Sequence, residues 1–291
     1  MRVSGPVLVD VTRTAVSPHA VAWAADEAAW RGLPLHLVHA QEWPTGKPPH
    51  GGPGQELPHW ATHFRAGGEA LLQRAMEAAL MRHRELELVP SLVAGRRVHV
   101  LREAAESAGM LVLGARRYTG VDTLFAPGDK SDALIGHLAC PVVLVPEPAA
   151  GLPADAPVVV GVDGSPASDL AVALAFEEAA LAGTGLVAVD VRRPRDAELP
   201  EFLDESRLVL SEALAGHCAQ YPEVQVRHEV LTGDPAGMLA SAARRARCLV
   251  VGARGRGGFR GMLAGSTSRT LAHRTDCPLI VAPPPQATGH R

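Results

Sequence analysis

Between positions 252 and 268 the chain reads Gly252-Ala253-Arg254-Gly255, nine further residues, then Gly265-Ser266-Thr267-Ser268. The apolar run Leu249-Val250-Val251 precedes this segment and a helical pattern follows it. Glycines at the end of a strand let the backbone turn tightly and come close to a ligand. Bare N–H groups there form an anion-binding concavity. Ser266, Thr267 and Ser268 open the next helix, where unpaired N–H groups and the positive end of the dipole favour phosphate. Their hydroxyls add donors. The chemistry expected of this loop is binding of a phosphate-bearing ligand. Arg254, Arg256 and Arg260 either reach that ligand or stay solvated. No serine sits in GxSxG and no carboxylate pair stands over the loop, so the sequence offers no catalytic residue and active hydrolysis is not expected.

The elements that would hold such a loop occur twice. Pro6-Val7-Leu8-Val9 matches Pro157-Val158-Val159-Val160 at an offset of 151 (Pro6 to Pro157), and Leu37-Val38 matches Ala188-Val189 at the same offset. Leu111-Val112-Leu113-Gly114 matches Leu249-Val250-Val251-Gly252 at 138, and Cys140-Pro141 matches Cys277-Pro278 at 137. Ordered landmarks at near-constant offset indicate an internal repeat. Two copies follow, over 1–147 and 156–284, joined by a linker rich in Pro and Gly. The first copy is longer before Gly95, a surplus assigned to the Pro/Gly stretch 43–54. In the second copy, apolar runs at 158–162, 186–191, 224–231, 248–252 and 278–282 alternate with helical patterns at about 166–182, 199–220, 235–246 and 266–274. Alternation of this kind predicts an α/β fold of two tandem doubly wound, mostly parallel five-stranded sheets, Rossmann-like in plan. Ligands of such sheets bind beyond the carboxyl ends of the strands.

The spacing of Gly252, Gly255 and Gly265-Ser266 resembles the ATP motif of the universal stress protein family, G-x2-G-x9-G-[ST]. Val160-Gly161-Val162-Asp163 resembles that family's first strand and its acidic residue, and Cys277-Pro278-Leu279-Ile280-Val281 its last strand. The resemblance spans both copies. It implies an adenine-nucleotide site in the second copy, with Gly252 and Gly255 along the triphosphate and ribose. Gly265, Ser266, Thr267 and Ser268 would hold phosphates. Asp163 would lie near the adenosine, unless it serves as N-cap of the next helix, and Val191 would offer backbone contacts to adenine. The implied ligand is ATP, with Mg²⁺ where ATP carries it. The implied role is regulatory, in the stress response. The family also pairs through its last strand, so 142–145 and 278–282 are expected to pair within the chain, leaving other surfaces for a homodimer.

The first copy departs from the motif. Gly114 is kept, but Arg117 replaces the second glycine, and Asp129 and Lys130 replace Ser266 and Thr267 after Gly128. A carboxylate at a phosphate site repels the ligand, so this copy is expected to bind ATP poorly. Thr12 stands where Asp163 stands. Gly128-Asp129-Lys130-Ser131 is not a P-loop, because the glycine and lysine are not adjacent. Gly255-Arg256-Gly257 lacks the third glycine of a dinucleotide fingerprint and follows a fourth strand.

Composition narrows the rest. Charged residues are 20% and net charge is −3, without the basic footprint of a nucleic-acid binder. Apolar stretches are interrupted well before 18 residues, so no membrane span is expected, nor is a signal peptide. Cys140, Cys218, Cys248 and Cys277 show no metal spacing and are expected as thiols in the cytoplasm. His50, His59 and His63 near the Pro/Gly stretch are expected as surface residues, His36 and His39 as packing or solvent-facing residues, His273 as structural, and Glu177-Glu178 as a solvated helix face. No metal site is assigned. Two other functions remain open. One is an ATP-hydrolysing relative, against which Val162-Asp163-Gly164-Ser165 lacks a Ser-Gly-Gly-x-Asp loop. The other is an interaction or dimerisation module without nucleotide.

Overall fold

The computed structural model describes residues 3–15, 17–43, 59–115, 133–147, 153, 155–193, 202–255 and 265–285. The stretch 44–54, Arg117, Gly128 to Lys130, Arg256 and Arg260 lie outside the described residues. Contacts divide the chain into two compact units, Ser4–Gly114 and Ala115–Arg291 with Met1–Val3.

In the first unit the order is β1 (Val7–Asp10), α1 (Ser17–Arg31), β2 (Leu35–Gln41), α2 (His59–Arg82), β3 (Leu88–Ala94), α3 (Arg97–Ala105) and β4 (Met110–Gly114). The strands lie in the order β3-β2-β1-β4, all parallel, with Val9 opposite Leu37 and Val112. All four residues of β1 are buried, as expected where helices cover both faces. The outer strand β3 is half exposed and accommodates Pro90, which a central strand would exclude.

The second unit holds β5 (Val142–Val145), β6 (Val158–Gly161), α4 (Pro166–Ala182), β7 (Leu186–Arg192), α5 (Phe202–Gln220), β8 (Val226–Thr232), α6 (Pro235–Ala242), β9 (Cys248–Gly252), α7 (Ser266–Ala272) and β10 (Leu279–Ala282). Its strands run β5-β10-β9-β6-β7-β8. All pairings are parallel except β5 with β10, where Ile280 faces Val143 in antiparallel register. By repeat, each copy supplies five strands. By contact, β5 belongs with the second unit, because its ladder is made with the last strand of the other copy. β10 is therefore hydrogen-bonded along both edges.

Local chemistry sets the helix ends. Ser165 is the N-cap of α4, its hydroxyl accepting from the Ser168 N–H at 3.2 Å, and Pro166 follows at the first helical position. Asp163 is not that cap; it lies two residues too early. Gly183, at φ +61°, ends the helix in the left-handed conformation that glycine adopts without strain. Asp234 caps α6 by accepting from Gly237 N–H at 2.9 Å. The helix stops at Ala242, short of 246, because the chain turns there to enter β9, where Arg247 N–H reaches Pro157 O at 2.9 Å.

Glu177 and Glu178 are not a solvated face. They are 8% and 2% exposed, because α4 is apolar around most of its circumference and is enclosed on the sheet. Glu177 Oε1 accepts from Val3 N–H at 3.4 Å. Glu27 of α1, the equivalent of Glu178, is also buried and pairs with Arg31 at 3.0 Å. Cys140, Cys248 and Cys277 are buried thiols and Cys218 is exposed. Burial pushes the Cys277 thiol up to about 12. Among the described residues no helix is long and apolar enough to cross a membrane.

Candidate functional site

A cleft of about 630 Å³ opens at the carboxyl ends of β6, β7 and β9. The central strand of the three is β6, with β7 on one side and β9 on the other. The connection after β6 runs to β7 on one side and that after β9 to β10 on the other, which makes this the switch point where open parallel sheets form crevices. Asp163 enters the cleft just after β6, Val191 from β7, and Gly252 from the end of β9. Gly255 lines the turn beyond, and Gly265, Ser266, Thr267 and Ser268 close the wall from the start of α7. The fold thus brings Asp163, Val191, Gly252, Gly255, Gly265, Ser266, Thr267 and Ser268 to one cavity.

The three glycines are there for different reasons. A Cβ on Gly252 would stand 2.7 Å from the Ala167 backbone, so the close packing of α4 against β9 requires glycine even without ligand. A Cβ on Gly255 would collide with the Asp163 carboxylate. Gly265 is different. Its φ is −72°, and a Cβ would meet nothing nearer than the Ala253 carbonyl at 3.5 Å. Among the described residues nothing demands glycine at 265, which lines the cleft.

Asp163 Oδ1 accepts from the Ser165 N–H at 3.0 Å, which fixes its carboxylate at the mouth of β6. Ser165 Oγ donates to Arg254 O at 3.4 Å, tying the cap of α4 to the glycine loop. Ser268 is 2% exposed, and its hydroxyl donates toward the carbonyls of Ala253 (3.2 Å) and Gly265 (3.1 Å). That hydroxyl ties the start of α7 to the glycine loop. Ser266 and Thr267 make up the rest of the first turn of α7, where backbone N–H groups have no intrahelical acceptor.

Three charged residues of the wall, Asp190, Arg192 and Arg193, escaped sequence reasoning. Asp190, 1% exposed, accepts from Arg192 Nε at 2.7 Å, and Arg192 also approaches Glu205 at 3.8 Å. The signal was the Val-Asp-Val-Arg alternation in β7, which puts positions 190 and 192 on one face. Arg193 and Arg254 also line the cleft. Among the described residues no group of three or more His, Cys, Asp or Glu is placed to hold a metal ion.

The matching region of the first copy is built otherwise. Arg97 Nε, at the start of α3, donates to Asp10 Oδ2 at the end of β1 at 2.6 Å. These positions correspond to Pro235 and Gly161, both of which line the cleft of the second copy. Thr12 Oγ1 meets Thr14 Oγ1 at 2.7 Å, and His39 Nδ1 lies 2.7 Å from Val11 O.

The family model described as the universal stress protein family matches residues 5–146 and again 156–283. A universal stress protein of Mycobacterium tuberculosis is 34% identical over 294 residues, covering 95% of this chain and 96% of that protein. One from Mycolicibacterium smegmatis is 32% identical over 296 residues, covering 96% and 97%. The crystal structure of a universal stress protein from Archaeoglobus fulgidus superposes with a TM-score of 0.72 at 17% identity, covering 97% of each chain, which is a likeness of fold.

Proposed function

The chain belongs to the universal stress protein family, and we propose that it is a regulatory protein of the stress response that holds ATP in the cleft of its 156–284 copy. The observation that carries this reading is Gly265, a glycine that no described neighbour requires, lining a cleft at the sheet's switch point. The cleft volume of about 630 Å³ lies within the usual range for small-ligand sites. Backbone N–H groups of Gly255 and of Ser266 to Ser268 supply donors for phosphates, while the Gly265 N–H is held by the Ala253 carbonyl at 2.8 Å, and Arg254 adds a cation. Asp163 and the backbone at Val191 face the nucleoside end. Mg²⁺ enters with the triphosphate and is shared between its oxygens. The 1–147 copy carries no equivalent nucleotide. The ligand is a small nucleotide and not a nucleic acid, in keeping with the net charge of −3. The protein works in the cytoplasm as a homodimer, through a surface other than β10, which is already paired on both edges.

The test is a thermal-shift titration with ATP and Mg²⁺ on the full chain and on Gly265→Ala. A ligand that binds only the folded state stabilises it by about 2.7 kcal/mol at 100 times its dissociation constant. Gly265→Ala should melt like the parent without ligand and lose most of the ATP-induced rise. Gly252→Ala is a poor probe, since its Cβ strikes the Ala167 backbone. Should millimolar ATP leave the parent's melting point unmoved, and no nucleotide co-purify, the chain is an interaction module instead.

A further inference from the structure

The first turn of α2 carries His59 and His63, four residues apart and therefore stacked on one face of the helix. Both side chains are exposed. Their Nε2 atoms stand 3.1 Å apart, with ring centroids at 4.3 Å and planes at 79°. Two imidazole nitrogens bound to one zinc-like ion at about 2.0–2.1 Å, subtending 90–109°, stand about 2.9–3.4 Å apart. The observed separation falls inside that window. From this geometry we propose that His59 and His63 form a two-imidazole chelate for a divalent transition metal ion of the Cu²⁺, Ni²⁺ or Zn²⁺ class.

The turn is held in place for this. Trp60 and Phe64 occupy the neighbouring stripe of α2, and Trp43 packs on both, at centroid distances of 6.1 and 5.1 Å. Trp43 follows β2, so the aromatic trio pins the start of the helix to the end of that strand and limits rotation of the turn that carries the histidines. Preorganised ligands lose less freedom on binding. The nearest acid on the helix, Glu69, is engaged by Arg65 at 3.0 Å, so among the described residues the donor set is nitrogen alone and water completes the coordination. Nitrogen donors of this kind favour Cu²⁺ over Ni²⁺ and Zn²⁺ and do not select Mg²⁺ or Ca²⁺, which prefer oxygen. The site lies in the 1–147 copy and makes no use of the nucleotide cleft.

Trp60 adjoins His59 in sequence, so a paramagnetic ion bound there quenches indole fluorescence. Titration of the full-length protein with CuCl₂, repeated with NiCl₂ and MgCl₂, reads binding directly. His59→Gln and His63→Gln keep the helix, since Gln is a good helix former. Each should weaken the tight Cu²⁺ phase by roughly 100-fold, because the second imidazole binds as an intramolecular partner. The other histidines among the 13 in the chain contribute only a weak background, the same in all three proteins. MgCl₂ should give no quenching. The proposal is overturned if either single variant, shown folded by circular dichroism, binds Cu²⁺ as tightly as the parent, or if the parent shows only the weak background.

Discussion

At the end of β1 stands Asp10; at the matching end of β6 stands Gly161. At the start of α3 stands Arg97; at the matching start of α6 stands Pro235. In the first copy the two charged residues meet at 2.6 Å and join a strand end to the helix that faces it. In the second copy the same two positions carry no charge and line an open cleft. That copy also has a buried Asp–Arg pair, Asp190 with Arg192, but both partners come from one strand, two residues apart. A pair within one strand stiffens the wall of the cleft. A pair between strand and helix spans it. The turns after the first strands differ in the same spirit. Asp163 accepts from the Ser165 N–H, while Thr12 accepts from the Thr14 N–H at 3.4 Å, so a similar turn is kept without the carboxylate.

The largest expected effect breaks the spanning pair. Asp10 is 1% exposed and Arg97 20% on their side chains. Removing one partner of a buried pair leaves a poorly solvated charge and costs roughly 3 kcal/mol. Arg97→Ala should therefore destabilise the first copy by about 3 kcal/mol in urea unfolding. Pro235→Ala, at the equivalent position, should cost under about 1 kcal/mol, mainly through unfolded-state entropy. Equal costs at the two positions would mean that the ion pair is not what distinguishes the copies.

A second change moves one feature of the first copy into the second. Asp163→Thr gives the cleft the turn that Thr12 makes. In the ligand-free protein it should cost under about 1 kcal/mol, since a hydroxyl can also accept from the Ser165 N–H. With ATP at 100 times the parent's dissociation constant, the stabilisation of about 2.7 kcal/mol should largely vanish. Calorimetric melting with and without ATP measures both quantities. An undiminished ATP effect in Asp163→Thr would remove the carboxylate from the account of the site and leave the glycine loop alone to carry it.

What was legible in the sequence was what backbone geometry dictates locally. The spacing of Gly252, Gly255 and Gly265 reports where the main chain must turn or stay bare, and the fold gathers those residues into one cleft. The repeat offsets found both copies because strands and breakers recur in order. Contacts made at long range were not legible. Arg97 and Asp10 are 87 residues apart, and their meeting depends on how α3 seats over β1. Asp163 and Ser165 are both good capping residues, and only the entry angle of α4 decides that Ser165 takes the role. Glu177 and Glu178 looked solvated because acids usually are. They are buried because α4 is enclosed on the sheet, which alanine-rich periodicity does not reveal. That β5 groups with the other copy depends on its ladder with β10, and an apolar run of four residues names no partner.

The smallest effect separates the helix junctions of the two copies. Where α1 meets α2, His83 Nε2 has a carboxylate, Asp26, at 2.8 Å, and Asp26 also raises the pKa of Arg82 through a hydrogen bond. Where α4 meets α5, His217 instead stacks on Phe176 at 5.3 Å, and its Nδ1 is buried without a hydrogen-bond partner among the described residues. Burial lowers its pKa, against a weaker upward pull from Asp169. The sign follows from linkage. The unfolded ring takes up its proton near pH 6.5, while the folded ring resists it to lower pH. The contribution of His217 to stability is therefore complete above about pH 6.5. It is lost as pH falls below that value and levels off beneath the lowered folded pKa. Between pH 7.5 and 5.5 the second copy should lose under about 1 kcal/mol from this ring, since it is only partly buried. His217→Phe keeps the stack with Phe176 and removes the titration, so its melting temperature should fall less over the same range. If parent and variant show the same pH slope, burial of the His217 ring does not set the pH response of this junction.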